Sequence, residues 1–304
     1  MTNQPTPTGK SRRKQLTRQL LDLSRRLAHW LPVVDAIDWH SHRAAIWRPG
    51  PLGGGFRSAG VIGDIRLSDL LGVDRQKKSL TANTRQFVHG LPANNALLWG
   101  ARGTGKSSLI HALLNEFADD GLRLIEIDKQ QLSDLPELLQ FLADEPYRFV
   151  LFCDDLSFEP NDASYKAVKS ALDGSVFRTI DNVVIYATSN RRHLLPESMT
   201  DNEQTQMVND ELHPGEAIEE KISLSDRFGL WLSFYPFSQQ AYLDVAQHWV
   251  AQIAAAQGEQ GTGVVWTKDT RAEALRWALA RGVRSGRTAQ HFARDWVGRQ
   301  MLER

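Results

Sequence analysis

The chain has 304 residues, 41% of them apolar and 24% charged, the composition of a globular protein long enough for about two domains. Its 36 Lys and Arg balance 36 Asp and Glu, so the whole-chain charge gives no argument for a nucleic-acid or membrane partner. One cysteine, Cys153, excludes an internal disulfide framework, and no apolar stretch approaches the ~20 residues needed to cross a bilayer. The basic N-terminus lacks the apolar core of a secretory leader, so the expected setting is the cytoplasm.

Residues 1–10 are polar and rich in Pro, Thr and Gly, the composition of a disordered tail. From Ser11 the pattern changes: Leu16, Leu20, Leu23, Leu27 and Leu31 recur every three or four residues, which predicts one face of a helix. Residues 10–31 carry seven bases against Asp22, a net of +6. A stretch with Trp39, Trp47 and the glycines 53–55 follows; it reads as loop or short strands, closing an N-terminal region over 1–60.

From Val61 short apolar runs alternate with helical patterns, which predicts parallel strands covered by helices. The strands are expected at 95–99, 123–127, 148–153, 182–187 and 230–234. Together they give an α/β fold with a five-stranded parallel sheet sandwiched by helices over 61–236. After Pro236 the strand signals fade, and helices are expected around Gln239–Ala256, over Asp269–Ala280 and from Thr288. That last part, 237–304, reads as a small C-terminal helical domain.

The strongest chemical signal is Gly100-Ala101-Arg102-Gly103-Thr104-Gly105-Lys106-Ser107, followed by Ser108, a full match to G-x-x-x-x-G-K-[ST]. It sits between a predicted strand and a predicted helix. There its glycines let backbone N–H groups turn onto phosphates, the new helix points its positive end at them, and Lys106 reaches the terminal phosphates. Ser107 would then coordinate Mg²⁺. The run 149–153 ends in Asp154 and Asp155: the first would hold the metal, and the second would polarise the attacking water. Asn190 follows the strand expected at 182–187, at its polar end, where an amide can orient that water. Arg227 stands just before the last strand, and Arg284 and Arg287 stand at the start of the final helix.

These ordered features resemble the AAA+ ATPases from about Leu70 to the C-terminus. The wording around them, including residues 71–74, 87–94 and 153–158, resembles a bacterial AAA+ subfamily known only as a domain of unknown function. The resemblance implies Walker A over 100–108, Walker B at Asp154-Asp155, a sensor-1 residue in Asn190, an arginine finger in Arg227 and a sensor-2 arginine in Arg287, with Arg284 as the competing choice. It implies ATP and Mg²⁺ as cofactors, a helical lid over 237–304, and head-to-tail assembly into a ring or open helix, commonly a hexamer, because an arginine finger acts on the next subunit. The absence of an Asn-Lys-x-Asp segment favours ATP over GTP.

One departure concerns hydrolysis. AAA+ proteins usually carry Glu where this chain has Asp155, and the shorter arm draws the carboxylate back from the water it must polarise. The functions in competition are an ATPase that remodels an unknown macromolecule, a nucleotide-gated switch with slow hydrolysis, and a DNA-associated loader or initiator using the basic N-terminal helix. Weaker signals are Asp38, His40 and His42, three metal-ligand types without a fourth at suitable spacing, and the lone His111 and His193. The segment 197–226 holds nine acids and Lys221, a net of −8, whereas 271–304 carries +5. The neutral total therefore hides basic ends and an acidic middle.

Overall fold

The computed structural model describes residues 37–50, 54–60, 63–158, 168, 169, 172, 180–192, 194, 206–208, 211–213 and 227–303. The predicted helix of residues 10–31, His193 and most of the acidic segment 197–226 lie outside these. Two short strands open the described chain, β1 (Ala44–Arg48) and β2 (Gly55–Ser58), followed by helix α1 (Asp74–Val88). Then come β3 (Ala96–Gly100), α2 (Lys106–Phe117), β4 (Leu122–Glu126), α3 (Leu135–Leu142), β5 (Arg148–Cys153) and β6 (Val183–Ser189). A small antiparallel pair, β7 (Gln206–Val208) with β8 (Glu211–His213), falls within the acidic segment. The chain continues through β9 (Leu230–Phe234), α4 (Gln239–Ala256), α5 (Lys268–Ala280) and α6 (Gly286–Leu302).

The main sheet has seven strands in the order β2-β1-β4-β5-β6-β3-β9. All five predicted strands are in it and pair in parallel. The expected count of five is corrected by β1, which pairs in parallel with β4, and by β2, which pairs antiparallel with β1 at the sheet's edge. Residues expected to be a linker thus extend the sheet. Arg123 explains how that segment is held: its buried guanidinium donates to Trp39 O at 2.7 Å and to Ala118 O and Leu122 O at 2.8 Å.

Both faces of the sheet are covered, and the strand alternation divides its side chains accordingly. On β5, Val150 and Phe152 face a core shared with α1, α2 and the C-terminal helices, whereas Phe149, Leu151 and Cys153 face a second core with α3. The C-terminal helices start at serine or threonine caps: Ser238 accepts from the Ala241 N–H, Thr267 from Thr270 and Ser285 from Thr288. Residues 37–304 form one compact unit, so the C-terminal helices and the sheet can be treated as a single frame for the site.

Candidate nucleotide site

The loop between β3 and α2 has the backbone that its glycines demand. Gly100, Gly103 and Gly105 have φ of 127°, 72° and 98°, in the region that side-chain-bearing residues avoid. At Gly100 a Cβ would stand 2.0 Å from Phe234 O, so β9 closes against the loop only because that side chain is missing. Thr104 Oγ1 donates to Ala101 O at 2.8 Å and fastens the turn from within. The amides of residues 102–108 donate to no protein acceptor among the described residues; the first helical bond runs from Leu109 N–H to Gly105 O. A run of unpaired amides at a helix N-terminus suits an anion.

Lys106 lies under this loop, buried, with its Nζ donating to Gly100 O at 2.9 Å, Ala101 O at 2.8 Å and Asn190 Oδ1 at 3.2 Å. Burial pushes its ammonium below the ordinary lysine range, with Asp154 and Asp155 pulling the other way. Asp154 Oδ1 accepts from Ser107 Oγ at 2.7 Å and also from Thr188 Oγ1. Asp155 accepts at its carboxylate from Asn190 Nδ2, and its N–H donates to Thr188 Oγ1 at 2.9 Å. Asp155 is the one described non-glycine residue with positive φ, at 52°. Thr188, which sequence reasoning passed over, therefore touches both acids; its only signal was a hydroxyl near the end of an otherwise apolar strand.

These groups open into a cleft of about 490 Å³. Its polar lining is Arg102, Gly103, Thr104, Gly105, Lys106, Ser107, Ser108, Asp154, Asp155, Thr188 and Asn190, joined by Arg287 and Gln290 of α6. Its apolar lining is Leu70, Leu71, Val73, Phe237, Val245 and Trp249. A triphosphate suits the first set by charge, and a flat base suits the second. Asp69 also borders the cleft and is tied to α4 by His248 Nε2 at 3.0 Å. Neither the apolar lining nor this tie was predicted, because both are made by residues far apart in sequence.

The two arginine candidates at the last helix separate. The Arg287 N–H donates to Gly103 O at 3.2 Å and its side chain lines the cleft; Arg284 does not line it, and its carbonyl accepts from the Phe237 N–H at 3.3 Å. Gly103 makes the approach possible, since a Cβ there would lie 2.9 Å from Ser285 Oγ. Arg227 lies outside this cleft. It stands three residues before β9, which runs parallel to β3 with Leu230 opposite Ala96 and Phe234 opposite Gly100, so it is at the strand ends remote from the phosphate loop.

Other sequence candidates have structural surroundings. Burial lowers the pKa of His111, which packs edge-on against Phe152, and burial pushes the Cys153 thiol up to about 12, removing it as a nucleophile. Asp38 closes a local turn by accepting from Ser41 Oγ and the His40 N–H. Among the described residues no group of three or more His, Cys, Asp or Glu is placed to hold a metal ion. For Mg²⁺ the fitting donors are instead Ser107 and Asp154, an oxygen pair already in contact at the mouth of the phosphate loop.

The profile of the family described as "Protein of unknown function (DUF815)" matches residues 40–300. Over 78 residues the chain is 35% identical to the replication factor C large subunit of Thermofilum pendens, a match that takes in 25% of this chain and only 18% of that protein. Among solved structures, the Aeropyrum pernix ORC1 protein in complex with DNA is similar with a TM-score of 0.52 at 14% identity, over 81% of this chain and 63% of that one. The Thermotoga maritima RuvB Holliday junction branch migration motor gives a TM-score of 0.43 at 14% identity, over 77% of this chain and 71% of that one. At 14% identity the likeness to ORC1 is one of fold alone, the AAA+ P-loop fold.

Proposed function

The chain belongs to the DUF815 family, and from that premise we propose that it is a Mg²⁺-dependent ATPase that assembles head to tail and couples its nucleotide state to the remodelling of a macromolecule. The observation that carries this reading is the convergence of Lys106, Ser107, Asp154, Asp155 and Asn190 on one cleft that Arg287 also lines. Loop amides and Lys106 would bind the phosphates. Mg²⁺, held by Ser107 and Asp154, would supply charge neutralisation at the phosphate oxygens. Asp155 would take the proton of the water that attacks the γ-phosphorus, with ADP as leaving group, and the Asn190 amide would fix that carboxylate's direction.

Arg227 supports the oligomeric part. Its position at the opposite strand ends from the phosphate loop leaves it a role on a neighbouring copy's cleft, the geometry of a head-to-tail ring or open helix, with a hexamer as the common form. Binding of Mg·ATP and an ATP turnover that Lys106→Ala abolishes are expected. Unchanged turnover in that variant would sink the proposal. Light scattering after gel filtration should give assemblies with a slowly hydrolysed ATP analogue and monomers for Arg227→Ala; the same mass for both removes the trans role.

A second reading, a nucleotide-gated switch, is favoured by Asp155 itself. Its short carboxylate is engaged by Asn190 and its backbone is fixed in the left-handed region. If slow hydrolysis reflects that short reach, Asp155→Glu accelerates turnover by on the order of 10- to 100-fold, since misplacement of about 1 Å has that effect. A slower variant would argue that Asp155 is already well placed.

A further inference from the structure

Next to Asn190 the chain carries a surface that the nucleotide cleft does not use. Arg191 and Arg192 are exposed, and the Arg192 guanidinium lies 5.7 Å from the ring centroid of Trp99 at the end of β3. Trp99 in turn meets Tyr235, just past β9, edge-on at 6.2 Å, and Tyr235 is 65% exposed. Because β6, β3 and β9 are neighbours, their three carboxyl ends bring two cations and two aromatic rings to one side of the phosphate loop. None of these four residues lines the cleft.

Resting on the trans role proposed for Arg227, we infer that this patch is the seat for a second copy of the chain, and that what it receives is the acidic segment ending at residue 226. Two observations carry the inference. A copy that delivers Arg227 to Asp155 and Asn190 must lie against the residues flanking Asn190, and Arg191 and Arg192 are the next two in the chain. The segment that such a copy brings with Arg227 is the one directly preceding it, with a net charge of −8 over 197–226. Arginine held beside a tryptophan ring is partly ordered to meet carboxylates, and the exposed ring of Tyr235 adds apolar contact area beside it. A seat of this kind sets which copy docks and in which orientation, since opposite charges draw the right surfaces together and like charges keep wrong ones apart.

Charge reversal tests the pairing in the full-length chain. Arg191→Glu with Arg192→Glu should raise the concentration needed for assembly in the ATP analogue about tenfold or more, with nucleotide binding unchanged. Glu219→Arg with Glu220→Arg should do the same, and all four changes in one chain should restore assembly to near the original concentration. Tyr235→Ala, which alters no charge, should weaken assembly with the same nucleotide dependence. The inference is overturned if the arginine variant assembles like the original chain, or if the four-fold variant is no better than either pair. It is also overturned if the arginine variant assembles normally but no longer binds labelled single-stranded DNA, which would make the patch a nucleic-acid surface. Failure of the underlying reading has a separate mark: the unaltered chain would not assemble with nucleotide, or would do so regardless of Arg227.

Discussion

Lys106 holds its charge almost out of water, on two backbone carbonyls and one amide oxygen. An ammonium so placed is destabilising until anionic oxygens arrive to meet it. Lys106→Met should therefore leave the nucleotide-free protein at least as stable as the original while removing stabilisation by Mg·ATP, about 2.7 kcal/mol for a ligand at 100 times its Kd. Thermal melts with and without Mg·ATP check this, and a variant that keeps its shift contradicts it. The pH dependence has a definite sign: with the folded pKa below the ordinary 10.5, the unfolded chain binds more protons in between, so this residue's contribution to stability rises with pH across that alkaline window. The loop around Lys106 was legible in the sequence because its backbone admits only glycine where φ is positive. Asp155 has the same requirement without the glycine, and its strained backbone gave no sequence signal.

At the level of elements, the five central strands were readable because both faces of a parallel sheet are buried and each strand is a nearly unbroken apolar run. β1 and β2 fall in a stretch that reads as loop or short strands, and their place in the main sheet was not readable. They are five and four residues long, end in exposed positions and join the sheet through β4, distant in sequence, while Arg123 of that strand holds Trp39 just before them. Arg123→Leu would leave Trp39 O and Leu122 O without this donor, while Ala118 O keeps the Gly121 N–H, and would remove the cation over the Tyr147 ring, 4.1 Å away. A loss of roughly 3 kcal/mol or more is expected from denaturant unfolding, at about 1–3 kcal/mol per buried group left unpaired. Hydrogen exchange should increase first in residues 39–58; uniform loosening of the whole sheet would mean that Arg123 does not act through that segment. The helical caps were partly legible. Ser238 lies immediately before a predicted helix, whereas the last helix starts two residues ahead of its predicted Thr288, at the Ser285 cap, and that Ser285 also presses against Gly103 depends on how the helices return to the loop.

Across the whole molecule, charge separates along the chain: +6 over residues 10–31, −8 over 197–226 and +5 over 271–304. Residues 37–304 form a compact unit of their own, so a chain cut back to them should fold and melt cooperatively. If the basic segment holds DNA, that truncation abolishes binding, and the full chain's binding weakens steeply with salt as counterions cease to be released. Salt-insensitive binding, or binding that survives truncation, would move the contact elsewhere. Net charge alone suggested none of this, because a sum discards position.

The hydrogen bond from the Arg287 N–H to Gly103 O spans the seam between the phosphate loop and the C-terminal helices. One amide hydrogen is thus a clock for that seam, since it can be traded for deuterium only when the two sides part. Its exchange rate, set beside the rate of ATP turnover, separates two cycles. Equal rates would make parting of the seam the step that times each round, whereas exchange far slower than turnover would mean that products leave past a jaw that stays shut.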